Sequence, residues 1–276
     1  MDDVAPHRYP SRAHSDATPG RGIHPPRAPR VHYGTAVHDG SAILPLLTAI
    51  VSAVLAARVG GAAVRRFSPS KPFWAAGLLA FAIAAAAEAY GAADGWGAAS
   101  FRLYYLFGGC LCVALLGIGS AWLVLPRSIA LVISGMAATA VVAAAVAVLL
   151  APVDLARLAG THGTAPPVNA AIGGHVFLWA IVLNVAGSLL VSGGSLVSLA
   201  RRRRTVANVL ILAGVVTVAG SGTLTRLGDY GFVYVGQAAG IVLLAIGFEL
   251  AERHVTDRAR RRGLGVSAAR SRPTAS

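Results

Sequence analysis

Between Arg102 and Leu150 the sequence reads RLYYLFGGCLCVALLGIGSAWLVLPRSIALVISGMAATAVVAAAVAVLL. Its charged side chains are those of Arg102 and Arg127, and only Pro126 and Arg127 divide it into two apolar runs. A helix needs roughly 20 mostly apolar residues to cross the hydrocarbon core of a bilayer, which is about 30 Å thick. Because hydrocarbon contains no water to satisfy backbone polar groups, each run is predicted to be a transmembrane helix.

Apolar runs of similar length lie on both sides of this stretch. Of the 276 residues, 55% are hydrophobic and 13% are charged, whereas about a quarter of the residues of a soluble globular domain are charged. We therefore predict an all-α fold, a seven-transmembrane-helix bundle. Helices one to seven are expected near residues 41–59, 73–91, 102–126, 128–150, 174–199, 205–225 and 231–250.

The predicted bundle covers residues 41–250 and leaves a tail at each end of the chain. Residues 1–40 are rich in Pro, Arg and Ser and contain few large apolar side chains, so we expect a disordered tail. They lack the features of a secretory signal, so the first helix is expected to direct membrane insertion. Residues 251–276 carry seven arginines and are expected to form a basic cytoplasmic tail.

The positions of the basic residues predict the orientation of the bundle. The loops after helices one, three and five carry nine basic residues, and the loops after helices two, four and six carry three. The nine are Arg58, Arg65, Arg66, Lys71, Arg127, Arg201, Arg202, Arg203 and Arg204, and the three are Arg102, Arg157 and Arg226. Cytoplasmic loops are enriched in Lys and Arg. The N-terminus is therefore predicted outside and the C-terminus in the cytoplasm, although five arginines in the N-terminal tail run against this orientation.

The same basic residues explain the net charge of +13, so we do not infer binding to nucleic acid. The lipid bilayer is the expected partner, with anionic lipid contacting Arg201, Arg202, Arg203, Arg204 and the C-terminal tail. Lys71 is the single lysine among 24 basic residues and alanine is abundant, a bias that we interpret as a GC-rich bacterial genome. The predicted location is the plasma membrane of a bacterium.

Helices three and seven match at a constant offset of 128 residues. The match pairs Gly108 with Gly236 and Gly119 with Gly247, with three aliphatic matches between them. We interpret this as a possible 3+1+3 parallel repeat, in which helix four joins two three-helix units, a plan known from transporters.

Small and polar residues recur at helical spacing in the last three helices. Helix five carries Asn184, Ser188, Ser192 and Ser195, helix six carries Ala213, Thr217, Ser221 and Thr225, and helix seven carries Gly236 and Gly240. Such stripes let helix backbones approach closely, so helices five, six and seven are predicted to pack tightly. Helix four has almost no polar side chains and is the predicted lipid-facing helix.

Helix two carries a carboxylate that is predicted to lie in the outer half of the bilayer. Glu88 lies 15 residues from Phe73, about 22 Å along the helix axis, where a lone charge is costly. Other polar and aromatic residues are expected at a similar depth, namely Arg102, Tyr105, His175, Arg226, Asp229, Tyr234 and Gln237. Together with Glu88 they form a candidate ligand-binding cluster. Alternatively, the same residues are an interfacial belt of fixed anchors and ion pairs.

The sequence gives little support to an enzyme. Retinal attachment needs a buried lysine, but Lys71 is predicted in a loop, and His175 is the one histidine within a predicted helix, too few for a haem site. There is no phosphate loop, dinucleotide fingerprint or zinc spacing, and no recognisable pair of nucleophile and base. We therefore predict no catalytic residue, no metal site and no cofactor.

Several motifs resemble those of uncharacterised seven-helix integral membrane proteins of high-GC bacteria. They read FRLYYLFGG, LLGIGSAWLVLPR, NVLILAG, TRLGDYG and GFEL, and the likeness extends over residues 41 to 250. That family has no known activity, so the resemblance implies only the topology. The leading hypothesis is a multi-pass protein whose outward-facing cluster binds a small polar ligand for sensing or transport. The alternative is a structural or accessory subunit of a membrane complex, with a membrane protein as its partner.

Overall fold

A computed structural model describes residues 42–65, 67–159, 171–200, 205–226, 233–248 and 250. Within these residues the regular secondary structure is helical, with one isolated bridge between Val153 and Ile172, which confirms the all-α class. The helices are α1 (Ile43–Arg65), α2 (Ser70–Asp94), α3 (Ala98–Val124), α4 (Arg127–Leu150), α5 (Gly174–Ala200), α6 (Thr205–Arg226) and α7 (Val233–Phe248). A one-turn helix, Leu155–Leu158, follows α4.

Five of these helices, α1 to α5, are long and apolar enough to cross a membrane. The apolar parts of α6 and α7 are shorter, Val206–Val218 and Val233–Phe248. The chain therefore has several candidate membrane spans, as expected. The count of seven spans, the orientation and the repeat stay predictions, and both predicted tails lie outside the described residues.

The first two helices are longer than predicted, and individual residues at their ends account for the difference. α1 continues past residue 59 to Arg65, and Nζ of Lys71 donates a 3.1 Å hydrogen bond to the carbonyl of Ala62 in its last turn. α2 begins at Ser70, so Lys71 lies in its first turn and the prediction that it lies in a loop was wrong. Pro72 is tolerated in this turn because a missing N–H costs nothing there. α2 ends at Gly95, whose φ of 92° suits a residue without a Cβ.

A π-helical segment, Tyr104–Leu111, interrupts α3 and was not predicted from the sequence. A π turn disturbs the regular hydrogen-bond ladder of the helix. The side-chain amide of Asn184 in α5 donates to the carbonyl of Gly109 within this segment, and also to Ala180, at 2.8 Å. The polar stripe of α5 thus supplies a donor to the irregular part of α3.

Two apolar cores lie at different places among the helices. One joins α1, α2, α3, α5 and α7 through residues such as Val59, Leu78, Leu116, Val191 and Ile241. The other joins the beginning of α3 and the end of α4 to α5 and the connection between α4 and α5. In α2 and α3 half of the most apolar window is buried, whereas in α4 the share is 11%. The low burial of α4 agrees with its predicted lipid-facing position.

Glycines allow the closest approaches between helices. A Cβ on Gly117 of α3 would lie 2.7 Å from the Cα of Gly187 in α5, and a Cβ on Gly214 of α6 would lie 2.7 Å from the carbonyl oxygen of Gly240 in α7. The close packing of α6 on α7 agrees with the predicted small-residue faces. Burial, however, is greater in α2 and α3 than in α5, because α2 presents a nearly continuous alanine surface to its neighbours.

Candidate functional site

Glu88 lies in the last part of α2, six residues before the helix ends at Asp94, which is about 9 Å along the axis. Its side chain is 1% exposed, so it is withdrawn from solvent and lipid. The neighbouring residues of α2 are mainly buried alanines. Their small side chains let other helices pack close enough to enclose the carboxyl group.

The partners of Glu88 come from α7. The side chain of Gln237 forms a hydrogen bond with the Glu88 carboxyl group, and Tyr234 lies close enough to interact with its charge. Tyr234 and Gln237 are three residues apart and therefore lie on one face of α7. The structure thus joins three of the eight predicted site residues into one buried group, which we call the Glu88 cluster.

Two polar atoms of the Glu88 cluster are not satisfied by the described part of the chain. Oε1 of Glu88 and the hydroxyl of Tyr234 are both buried, and neither has a hydrogen-bond partner among the described residues. The large majority of buried polar side-chain atoms in proteins do have a partner. These two atoms can therefore bind something that the described chain does not supply.

Arg102 does not pair with Glu88, although the sequence made it a candidate partner. Both residues are described, and no ion pair joins them; the ion pair within the described ranges is the exposed one between Arg157 and Asp154, at 3.0 Å. Nη2 of Arg102 instead donates a 2.9 Å hydrogen bond to the carbonyl of Ala151, just after α4. This bond ties the start of α3 to the end of α4.

The other predicted site residues lie elsewhere or outside the described part of the chain. Tyr105 is buried in the aromatic part of the core at the start of α3, with its ring 6.1 Å from that of Phe101. His175 is exposed at the start of α5. Arg226 ends α6, but its side chain is outside the described set, as is the whole of Asp229.

Metal-binding residues are not grouped in the described part of the chain, where no three His, Cys, Asp or Glu side chains come together. Cys110 and Cys112 are free thiols buried in α3. Their burial suits the predicted role of small apolar side chains.

The chain matches no protein-family model, no curated protein and no solved structure. The likeness to seven-helix membrane proteins of high-GC bacteria therefore stays an expectation from the quoted motifs.

Sequence reasoning missed two features of α3. The π-helical segment of α3 packs directly on α2, because a Cβ on Gly108 would lie 3.0 Å from the Cβ of Ala84, one turn before Glu88. The bond from Arg102 to Ala151 spans 49 residues of sequence. The glycine pair of FGG, which permits close packing, is a sequence signal for the packing of the π-helical segment. The bond from Arg102 to Ala151 has no local sequence signal.

Proposed function

We propose that the protein is a multi-pass membrane protein whose Glu88 cluster binds a small polar ligand for transport or sensing. The five long apolar helices support the membrane part of this proposal. The binding part rests on one observation: the buried carboxyl group of Glu88 and the nearby hydroxyl of Tyr234 each have an oxygen without a hydrogen-bond partner among the described residues. We further propose the bacterial plasma membrane as its location.

The physical argument starts from the cost of burying a carboxyl group within an apolar helix. Ionisable residues inside membranes are expensive, and they mark ligand or ion pathways or pair with one another. Glu88 has one amide partner, Gln237, and no cationic partner among the described side chains. A structural role alone would favour full pairing, so the incomplete pairing favours a site that is completed by a ligand.

The two buried atoms that lack a partner among the described residues, Oε1 of Glu88 and the hydroxyl of Tyr234, also indicate the class of ligand. A carboxylate oxygen accepts hydrogen bonds, and a phenol oxygen can accept or donate one. A donor that carries positive charge would stabilise the ionised form of the Glu88 carboxyl group, which burial alone disfavours. The best fit is a small amine or another compact cation with N–H or O–H groups.

The ligand must reach a cluster that is closed in this structure, since Glu88 is 1% exposed. The contact of Gly108 with Ala84 offers a way to open it, because a change of the π-helical segment of α3 would alter the packing one turn from Glu88. π-Helical turns occur frequently at functional sites. A transporter would open the cluster to both sides in turn, whereas a sensor would pass the change to a partner.

The test is thermal unfolding of the purified protein in detergent with ammonium, methylamine, ethanolamine and choline as probes. A ligand that binds only the folded state raises the unfolding midpoint. We expect at least one amine to raise it in the wild type, and the variants Glu88→Gln and Tyr234→Phe to lose that rise.

Matched controls come from the same helix. Asp94→Asn removes an exposed carboxylate at the end of α2, and Tyr90→Phe removes an exposed hydroxyl two residues from Glu88. Both controls are expected to keep the wild-type rise. If Glu88→Gln kept it too, the ligand would bind elsewhere and the proposal would be wrong.

An accessory subunit with fixed polar contacts is the second candidate. The bond from Arg102 to Ala151 favours it, because it uses one of the predicted site charges as a structural tie. A membrane protein that purifies with this chain at fixed stoichiometry, together with no response to any amine, would support this candidate over the first.

Contact of anionic lipid with Arg201, Arg202, Arg203, Arg204 and the C-terminal tail belongs to the same proposal. These residues lie outside the described ranges, so the support is their charge and the positive-inside pattern. Replacing the four arginines with glutamine is expected to reduce the amount of phosphatidylglycerol that stays bound to the purified protein in native mass spectrometry.

A further inference from the structure

An open groove of about 530 Å³ lies along the last turns of α1, far from the Glu88 cluster. Its walls include Arg58, Arg65 and Phe248, and Gly61 lies between the two arginines. The bond from Lys71 to Ala62 places this end of α1 beside the start of α2. Glu88 is 17 residues further along α2, or about 26 Å.

The groove has a basic end. Arg58 and Arg65 are seven residues apart, so they lie two turns apart on one face of α1, and both are exposed. A Cβ on Gly61 would lie 3.5 Å from Nη1 of Arg65, so the guanidinium group extends back over the glycine. Arg58 has a further interaction within the protein, and none of the described lining residues is acidic.

The same face of α1 continues as an apolar surface toward the start of the helix. Val54 is 55% exposed and Ile50 is 52% exposed, and Leu47 and Ile43 follow at helical spacing. From Ile43 to Val54 this surface is about 16 Å long, close to half of the roughly 30 Å hydrocarbon core. One face of α1 thus presents an apolar surface about as long as one leaflet is thick, which we call the apolar track. This track ends at the two arginines.

We infer that this groove binds an anionic phospholipid, with the phosphate group between Arg58 and Arg65 and an acyl chain along the apolar track. Arginine guanidinium groups recognise phosphate oxygens through paired hydrogen bonds. Gly61 leaves the space that the Arg65 guanidinium group occupies between the two arginines, and Phe248 of α7 lines the groove. The site shares no residue with the Glu88 cluster.

Another segment of this chain is a poor occupant. The residues after Leu250 contain seven arginines against Glu252 and Asp257, so their net charge has the same sign as the groove. An anionic lipid complements both the arginines and the apolar track, whereas a soluble anion would complement only the arginines.

The test measures lipid binding by native mass spectrometry of the purified protein, with phosphatidylglycerol and phosphatidylcholine added in turn. A Lys or Arg near the membrane surface contributes about 1 kcal/mol to binding of anionic lipid, which is about fivefold in affinity. We expect Arg58→Gln and Arg65→Gln each to weaken phosphatidylglycerol binding about fivefold and to weaken phosphatidylcholine binding less, because the choline group offsets its phosphate charge. Arg127→Gln, which removes an exposed arginine at the start of α4, is the matched control and should have no effect on this site.

A second variant keeps both charges and fills the groove. A Cβ on Gly61 would lie 3.5 Å from Nη1 of Arg65, the flexible end of a side chain, so Gly61→Leu is expected to displace the Arg65 guanidinium group, fill the space between the arginines and lower phosphatidylglycerol binding. Unchanged binding in Gly61→Leu would overturn the proposal, as would an equal loss in Arg127→Gln, which would mean diffuse surface charge. Equal competition by soluble glycerol phosphate would mean a free-phosphate site and would also overturn it.

Discussion

α3 and α4 are consecutive helices of similar apolar character, yet they occupy different environments. Half of the most apolar window of α3 is buried, against 11% for α4. α3 contacts its neighbours through glycines, such as Gly117 against Gly187, whereas Gly135 of α4 has nothing within 4 Å of where a Cβ would lie. Hydropathy alone therefore predicts which segments could span a membrane, and the placement of small residues decides which helix becomes buried among the others.

The largest expected effect is that of a bulky side chain at the contact between α3 and α5. Gly117→Leu would place its Cβ 2.7 Å from the Gly187 Cα, and backbone atoms cannot move aside cheaply. We expect a loss of about 3 kcal/mol or more in the free energy of unfolding, measured by sodium dodecyl sulfate titration in micelles. Gly135→Leu on α4 should change this free energy by less than about 0.5 kcal/mol. Equal losses in the two variants would contradict the difference between the helices.

A smaller effect is expected where α5 supports the π-helical segment of α3. Asn184→Ala removes the donor to the carbonyls of Gly109 and Ala180 and leaves the Gly109 carbonyl without this partner. We expect a loss of about 1–2 kcal/mol in the same titration. Ser188→Ala, one turn further along α5, is the control and should cost less than about 0.5 kcal/mol. A neutral Asn184→Ala would show that the π-helical segment does not need this amide.

The smallest effect is expected at the polar contact between α3 and α4. Nε1 of Trp122 donates a 3.0 Å hydrogen bond to Oγ of Ser134. Hydrogen bonds between membrane helices contribute about 0.6 kcal/mol on average. A double-mutant cycle with Trp122→Phe and Ser134→Ala should give a coupling free energy of about that size. A coupling well above 1 kcal/mol would mean that α4 is held to α3 more firmly than its low burial indicates.

Much of the fold follows from local sequence signals. The lengths of the apolar runs predict α1 to α5, and Pro126 predicts the break between α3 and α4, which the structure confirms. The ends of α1 and α2 differ from the prediction because Lys71 and Gly95 act at helix ends, where polar contacts rather than hydropathy decide.

The candidate site could be predicted only in part. The sequence predicts that Glu88, Tyr234 and Gln237 lie at a similar depth in the bilayer. Depth, however, does not show how a helix is rotated about its own axis. Rotation is set by packing between distant segments, and for that reason Arg102 lies against Ala151, 49 residues away, rather than against Glu88. The repeat predicted for helices three and seven also depends on packing and stays a prediction.

The most direct test of the account is the affinity of the Glu88 cluster for the amine that stabilises the wild type most. Isothermal titration in lipid nanodiscs would compare the wild type with Glu88→Gln and Asp94→Asn. A hydrogen bond to a charged group contributes about 1.5–3 kcal/mol. We therefore predict an affinity at least about tenfold weaker for Glu88→Gln and an unchanged affinity for Asp94→Asn. Equal affinities in all three proteins, or no binding of any amine to the wild type, would contradict a ligand site at Glu88.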